Sequence, residues 1–385
     1  MASLVKSPGW WEMADNTKVT LLFAHGGGFC KDTWGPITRR LSEAQVVQGV
    51  PTEFVTFDFP YHGDKHDPAA LQSFEVDLSN PRAPRVWNDK HDLVGWVAAA
   101  VQEQVAAWKE KTKREDPEGK TQHKLIGVGH SMGSAGLWAT EVAHPGTFDG
   151  LILFEPVLAQ NSPETDYMID FMVGLTLQRA ASWPSRAAAE EHFYNLRNFA
   201  KWDRETLAGY LRGGLVEAED GTVTLACHPN IEASLYCQKP LWLTEHELQQ
   251  PKCPITFHWG SRSKMWFHDR FEALQSKLPH IYTVKEPMEG NSHVLVLENP
   301  ALATEKIAQD QQSWSHTLLS SRMQEGDRHK SRVMGKICWW SFILQDKVAT
   351  HSVTNDVMKI GCHGKYMEVL RTDSNNLSQH VATYH

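Results

Sequence analysis

The chain has 385 residues, with 46 acidic against 38 basic side chains and a net charge of -8. That balance argues against nucleic acid as a partner, which calls for a basic face. Hydrophobic residues make up 41% and charged ones 22%, ordinary for a globular enzyme with a sizeable core. No apolar run reaches the roughly 18 residues that a membrane span requires. The opening stretch, MASLVKSPGWWEMADN, lacks the apolar core of a secretory signal. Cys30, Cys227, Cys237, Cys253, Cys338 and Cys362 are scattered without a C-x-x-C pair. That pattern fits free thiols in a reducing compartment, and hence a cytoplasmic location, better than a disulfide frame or a zinc site.

In chain order, Lys18 to Ala24 (KVTLLFA) reads as a strand that runs into His25-Gly26-Gly27-Gly28-Phe29. Glycines directly after a strand let backbone N–H groups turn toward an oxyanion, so Gly27 and Gly28 are candidate donors. Trp34 to Gln45 reads as a helix and Glu53 to Phe57 as the next strand. Strand, glycine loop, helix and strand make a βαβ unit and predict a parallel sheet. His62-Gly63-Asp64-Lys65-His66-Asp67 has metal-ligand residue types. It lacks the fixed spacing and downstream partners of a hydrolytic metal site, and it reads as a polar turn. No metal and no cofactor is expected. Asp92 to Lys111 shows helical periodicity, and KTKREDPEGKTQ is a solvated loop into the next strand.

That next strand is Leu125 to Val128, followed by Gly129-His130-Ser131-Met132-Gly133 and a helix from Ser134 to Ala143. A strand, a G-x-S-x-G turn and a helix form the context of a nucleophile elbow. Small residues must flank the serine because the turn is too tight for side chains there. Ser131 is thus the candidate nucleophile, and the Met132 N–H, at the helix start, the other oxyanion donor.

Gly150 to Phe154 reads as a buried parallel strand that ends in Glu155. Successive βαβ strands are neighbours, so Glu155 should emerge beside the elbow. From Asn161 to Pro251 the character changes to helices rich in Trp, Arg and Ala: Asp166 to Ala181, Ser185 to Phe199 and Trp202 to Leu211, with a β-like piece at Gly221 to Ala226. Such an insertion reads as a cap over an active site, with Met168, Phe171, Met172, Leu175 and Trp183 as candidate pocket residues. Cys253 to Trp259 returns to a strand, Trp266 to Leu278 is a helix, and His280 to Val284 is the last strand. His293 then lies in a short polar turn, where the base of a Ser…acid…His triad belongs. The acid would ordinarily follow Trp259, but GSRSKMW holds no carboxylate before Asp269. Glu155 is therefore assigned as the acid, with Asp269 as runner-up.

FAHGGGF, GVGHSMGS, DGLILFEP and GNSHVLVLEN, in that order, resemble the α/β-hydrolase superfamily. WPSRAAAEEHF, AKWDRETLAGYLRGGL and VTLACHPNIEASLY are similar to the cap of fungal esterase–lipases associated with toxin biosynthesis, of a yeast peroxisomal lipase and of bacterial hydrolases. The resemblance implies an α/β-hydrolase fold, a mostly parallel sheet flanked by helices with a helical cap inserted after the sixth strand. It implies a core over residues 1–157 and 251–320 and a cap over 158–250; the tail over 321–385 is polar, interrupted and without clear periodicity, and is expected to be loosely ordered. It also implies a serine hydrolase that cleaves small-molecule carboxylic esters with Ser131, His293 and Glu155. The fold equally hosts acyltransferases, thioesterases and non-catalytic ligand binders. Ser321-Arg322-Met323 resembles a peroxisomal address, which is read only at a free C-terminus, so a form ending near Met323 would be peroxisomal.

Overall fold

Two units make up the chain, Met1–Leu319 and Ser320–His385. The computed structural model describes residues 16–44, 50–88, 93–158, 163–238, 241–314, 357–362 and 365–370. In chain order the strands of the first unit are β1 (Thr17–Ala24), β2 (Thr52–Phe57), β3 (Glu75–Asp77), β4 (Arg85–Trp87), β5 (Gln122–His130) and β6 (Gly150–Phe154), then β7 (Ser182–Trp183), β8 (Leu215–Glu217), β9 (Val223–Leu225), β10 (Ile255–His258) and β11 (Tyr282–Val284). Six of them form one parallel sheet in the order β11-β10-β6-β5-β1-β2. β3 and β4 pair as a separate hairpin, and β7, β9 and β8 form a small antiparallel sheet.

The central strands are continuous apolar runs because both faces of the sheet are covered. Leu21, Phe23, Ile152 and Phe154 point into one core cluster, and Leu22, Ala24, Leu151 and Leu153 into the other. The helices are α1 (Gly35–Glu43), α2 (Leu93–Glu115), α3 (Met132–Ala143), α4 (Pro163–Leu177), α5 (Arg186–Asn195), α6 (Arg204–Gly214), α7 (Pro229–Cys237), α8 (His268–Lys277) and the short α9 (Leu295–Glu298). Residues 300–314 form a last helix. Val97, Leu137, Trp138 and Phe271 of α2, α3 and α8 pack on one face. Ile37 and Leu41 of α1, with Ala303 and Ile307 of the last helix, pack on the other.

The fold matches the expected α/β-hydrolase architecture, a parallel sheet flanked by helices with a mainly helical insertion between β6 and β10. That insertion holds α4 to α7 and also the antiparallel β7–β9–β8 sheet, of which the sequence indicated one strand. No helix among the described residues is long and apolar enough to cross a membrane. In the second unit the described residues form one antiparallel hairpin, β12 (Val357–Cys362) with β13 (Lys365–Leu370). Ser321-Arg322-Met323 and most of the remaining tail lie outside the described residues.

The elbow glycines are fixed by contact. A Cβ at Gly133 would lie 2.2 Å from the Ala24 carbonyl oxygen, and one at Gly129 2.7 Å from the Ser134 backbone. Backbone cannot yield cheaply, so Gly133→Ala should cost about 3 kcal/mol in urea unfolding. Gly35→Ala, with nothing within 4 Å of the new methyl, should shift stability by less than about 1 kcal/mol. Equal losses at the two positions would contradict this reading.

Candidate active site

Strand register sets the site. His130 of β5 and His258 of β10 both pair with Phe154 of β6 between them. One residue further along, Ser131 and Glu155 therefore leave adjacent strands at the same level. Both adopt left-handed backbone, φ 53° at Ser131 and φ 47° at Glu155, which costs a residue with a Cβ and is held by its surroundings. The Ser131 N–H donates to the Phe154 carbonyl at 2.9 Å, and the Glu155 N–H to the His258 carbonyl at 2.9 Å.

His293 arrives between them from the turn after β11. Its Nε2 lies 3.0 Å from Ser131 Oγ and its Nδ1 3.0 Å from Glu155 Oε2. A carboxylate only accepts, so Nδ1 carries the proton and Nε2 is left to accept from the serine hydroxyl. The carboxyl of Glu155 is 1% exposed and fully engaged. Oε1 accepts from the Gly260 N–H at 2.8 Å, and Oε2 accepts from the Ser263 hydroxyl at 2.7 Å. The loop after Trp259 thus contributes donors to a carboxylate on the neighbouring strand. Asp269 is exposed in the first turn of α8 and takes part in none of these contacts.

Further bonds hold the histidine turn. Glu298 accepts from the Ser292 N–H at 2.7 Å and the Ser292 hydroxyl at 2.9 Å. His130 Nε2 lies 2.9 Å from the His293 carbonyl oxygen. Gly260 lies so close that a Cβ there would meet the Asn291 carbonyl at 2.5 Å.

The two expected glycine donors differ. The Gly28 N–H donates to His62 Nε2 at 3.0 Å. It is already engaged, and its assignment as an oxyanion donor is corrected. Gly27 borders the same cavity as Ser131, Met132 and His293, and Met132 is the first residue of α3, where N–H groups lack intrahelical partners. The His62 bond explains the motif that resembled a metal cluster: His62 and its neighbours are the brace of the glycine loop. His62 Nδ1 lies 2.8 Å from the Pro60 carbonyl. His25 does the same work on the other side, accepting from the Phe59 N–H at 3.1 Å. Asp58 accepts from the Lys31 N–H at 2.7 Å, the Lys31 ammonium at 2.8 Å and the Asp64 N–H at 3.0 Å.

A cavity of about 390 Å³ opens at Ser131. Met168, Met172 and Leu175 of α4 line it as expected. Phe171 does not; it is 53% exposed on the outer side of that helix. Trp183 does not either, because β7 turns it into the core cluster, where it packs on Phe193 at 5.3 Å between ring centroids.

The sequence signature of the alpha/beta hydrolase family matches residues 21–306, and the chain belongs to that family. Two abhydrolase domain-containing proteins of Alternaria alternata, AKT2 and AFT2-1, are similar over part of it. They are 31% identical over 110 residues and 32% over 111, each match covering 27% of this chain and 40% of the relative. The chain thus spans two fifths of the length of these curated relatives. Among solved structures, the peroxisomal alpha-beta-hydrolase Lpx1 of Saccharomyces cerevisiae superposes with a TM-score of 0.57 at 16% identity, over 83% of this chain and 86% of that one. An E-2-(acetamidomethylene)succinate hydrolase superposes with a TM-score of 0.51 at 14% identity, over 76% and 91%. At such identities the likeness is one of fold.

Burial keeps the bracing histidines neutral. Desolvation, and then the neighbouring His62, pushes His25 down to about 3. Desolvation, and then His293, pushes His130 down to about 3. Burial also lowers His62. Burial would raise the Asp58 carboxyl, but the Lys31 ammonium bonded to it holds it below its usual value. In each histidine the unfolded chain binds a proton that the fold refuses. The stability that these histidines contribute is therefore fully present above about pH 6.5 and is lost as pH falls from 6.5 toward 3. Thermal melts at pH 7.5, 6 and 5 should show a falling midpoint through that window; a flat or rising midpoint would contradict neutral burial.

Proposed function

We propose that this protein is a serine hydrolase that cleaves small-molecule carboxylic esters through an acyl-enzyme. The observation that carries this reading is the row Glu155–His293–Ser131, joined by two 3.0 Å contacts. Ser131 Oγ attacks the ester carbonyl while His293 Nε2 takes its proton. Negative charge moves to the carbonyl oxygen, where the N–H groups of Met132 and Gly27 stabilise it. Collapse expels the alcohol, which receives the proton from Nε2 and leaves the acyl group on Ser131. Water then attacks with the same base, and the carboxylic acid departs. Glu155 keeps the imidazole in the productive tautomer and offsets the imidazolium charge.

The chain's family supports a hydrolase, and the apolar walls of the cavity support a substrate with hydrocarbon parts. The loop after Trp259 holds no carboxylate, which taken alone favours a non-catalytic ligand binder; the contacts of Glu155 with His293, Gly260 and Ser263 support the catalytic reading instead. Transfer to an alcohol instead of water would use the same three residues, and the ratio of products formed with an added alcohol separates the two.

A fluorophosphonate probe should label Ser131 and fail to label Ser131→Ala. Glu155→Gln should lower kcat on a p-nitrophenyl ester by about 10⁴, the loss known for a neutralised triad acid. Asp269→Asn should stay within about twofold, as an exposed position that takes no part in these contacts. Absence of labelling would sink the hydrolase reading, and an inactive Asp269→Asn beside an active Glu155→Gln would sink the choice of acid.

A further inference from the structure

Beside Ser131 the cavity is walled mostly by apolar side chains, and among the polar ones that interrupt them is an ion pair. Arg179, just past α4, meets Glu232 of α7 with both arms of its guanidinium, Nη1 to Oε1 at 2.9 Å and Nη2 to Oε2 at 2.8 Å. Both residues border the cavity. Tyr236, one turn beyond Glu232, donates its hydroxyl to Oε1 at 2.9 Å. The Glu232 side chain is 5% exposed and that of Arg179 33%, so the open side of the pair is the guanidinium. Burial opposes its charge, but the Glu232 carboxylate overrides that and raises its pKa further.

Three features suggest more than a structural role. A largely buried ion pair often stabilises a fold no better than apolar side chains of similar volume. The pair touches the glycine loop, since a Cβ on Gly28 would lie 2.4 Å from Glu232 Oε2. Gly27, Ser131 and His293 line the same cavity as the pair, so a substrate held at Ser131 shares that space with the guanidinium. Finally, only an Nη1 N–H is hydrogen-bonded to Glu232, while Nη2 faces Oε2 as an ion pair without a hydrogen bond, so the Nε–H and the outer N–H groups are left to donate. Among the described residues Glu232 is the only side chain bonded to that guanidinium. A second carboxylate at those donors would leave net negative charge in an apolar cavity, whereas an uncharged oxygen would not.

We propose that Arg179, oriented by Glu232, is a specificity-determining residue that donates to a second, uncharged carbonyl oxygen of the substrate. The preferred substrates are then esters bearing a ketone or amide carbonyl a few bonds from the scissile group, not plain fatty esters. This inference rests on the serine hydrolase reading given above. Glu232 acts through Arg179 and is a positioning residue.

The test compares pairs of esters that differ by one carbonyl. On the acyl side these are p-nitrophenyl 4-oxopentanoate and p-nitrophenyl pentanoate; on the alcohol side, 2-oxopropyl butanoate and propyl butanoate. Each kcat/KM is divided by the ester's rate with hydroxide. At least one oxo ester should exceed its plain partner by about tenfold or more, the worth of one hydrogen bond from a charged donor, chiefly through KM. The preference should collapse toward unity when Arg179→Met is combined with Glu232→Leu, which strands no charge. Arg179→Lys, as a second variant, should retain part of it. A ratio near unity for both pairs, a ratio untouched by the double replacement, or a greater preference for p-nitrophenyl hydrogen glutarate would overturn the proposal. Binding of the same esters to Ser131→Ala, followed by tryptophan fluorescence, reads recognition without turnover. Tighter binding of an oxo ester that disappears in the double variant would uphold this inference even if the intact protein hydrolysed neither, an outcome that would sink only the hydrolase reading.

Discussion

Everything at the site depends on the pairing of three neighbouring strands. Because His130, Phe154 and His258 share one row of the sheet, the residues that follow them leave the sheet together. Ser131 and Glu155 both turn through left-handed backbone at that edge, and the Trp259 loop closes over Glu155 from the third strand. A slip of one residue in any pairing would send these side chains to opposite faces. The sheet resists such a slip because its strands are buried on both faces and each residue is matched to one core or the other.

A second layer of polar bonds converts that register into a defined cavity edge. His25 and His62 tie the glycine loop to the segment after β2, and Lys31 with Asp58 ties that segment to the 3-10 turn that precedes α1. All three buried acceptors depend on being in one protonation state, which couples the shape of the loop to pH. The result is a loop in which the Gly28 N–H is spent on structure while Gly27 faces the cavity.

Local signals were readable in the chain, and long-range partnerships were not. Ser131 was legible because the elbow needs glycines at fixed offsets, and His293 because it lies in a polar turn after the last strand. Glu155 was legible by its place at a strand end once the expected position proved empty of carboxylates. The Gly260 and Ser263 donors were not, because they are 105 and 108 residues away from Glu155 and nothing local marks a glycine N–H as a partner. Gly28 was misread for a related reason: its left-handed φ of 76° suits an oxyanion loop, but the histidine that takes its N–H lies 34 residues on. Phe171 and Trp183 were misplaced because composition marks an insertion without saying which helix face meets the cavity. Arg179 and Glu232 were invisible as a pair, 53 residues apart on separate cap segments.

The central claim is that Glu155 accepts the Nδ1 proton of His293 and so leaves Nε2 free for Ser131. Proton NMR reads that bond directly as a strongly downfield imidazole resonance. The account predicts one such resonance in the intact protein, lost in both His293→Ala and Glu155→Gln and kept in Asp269→Asn. A resonance that survives Glu155→Gln, or disappears only when Asp269 is changed, would contradict it.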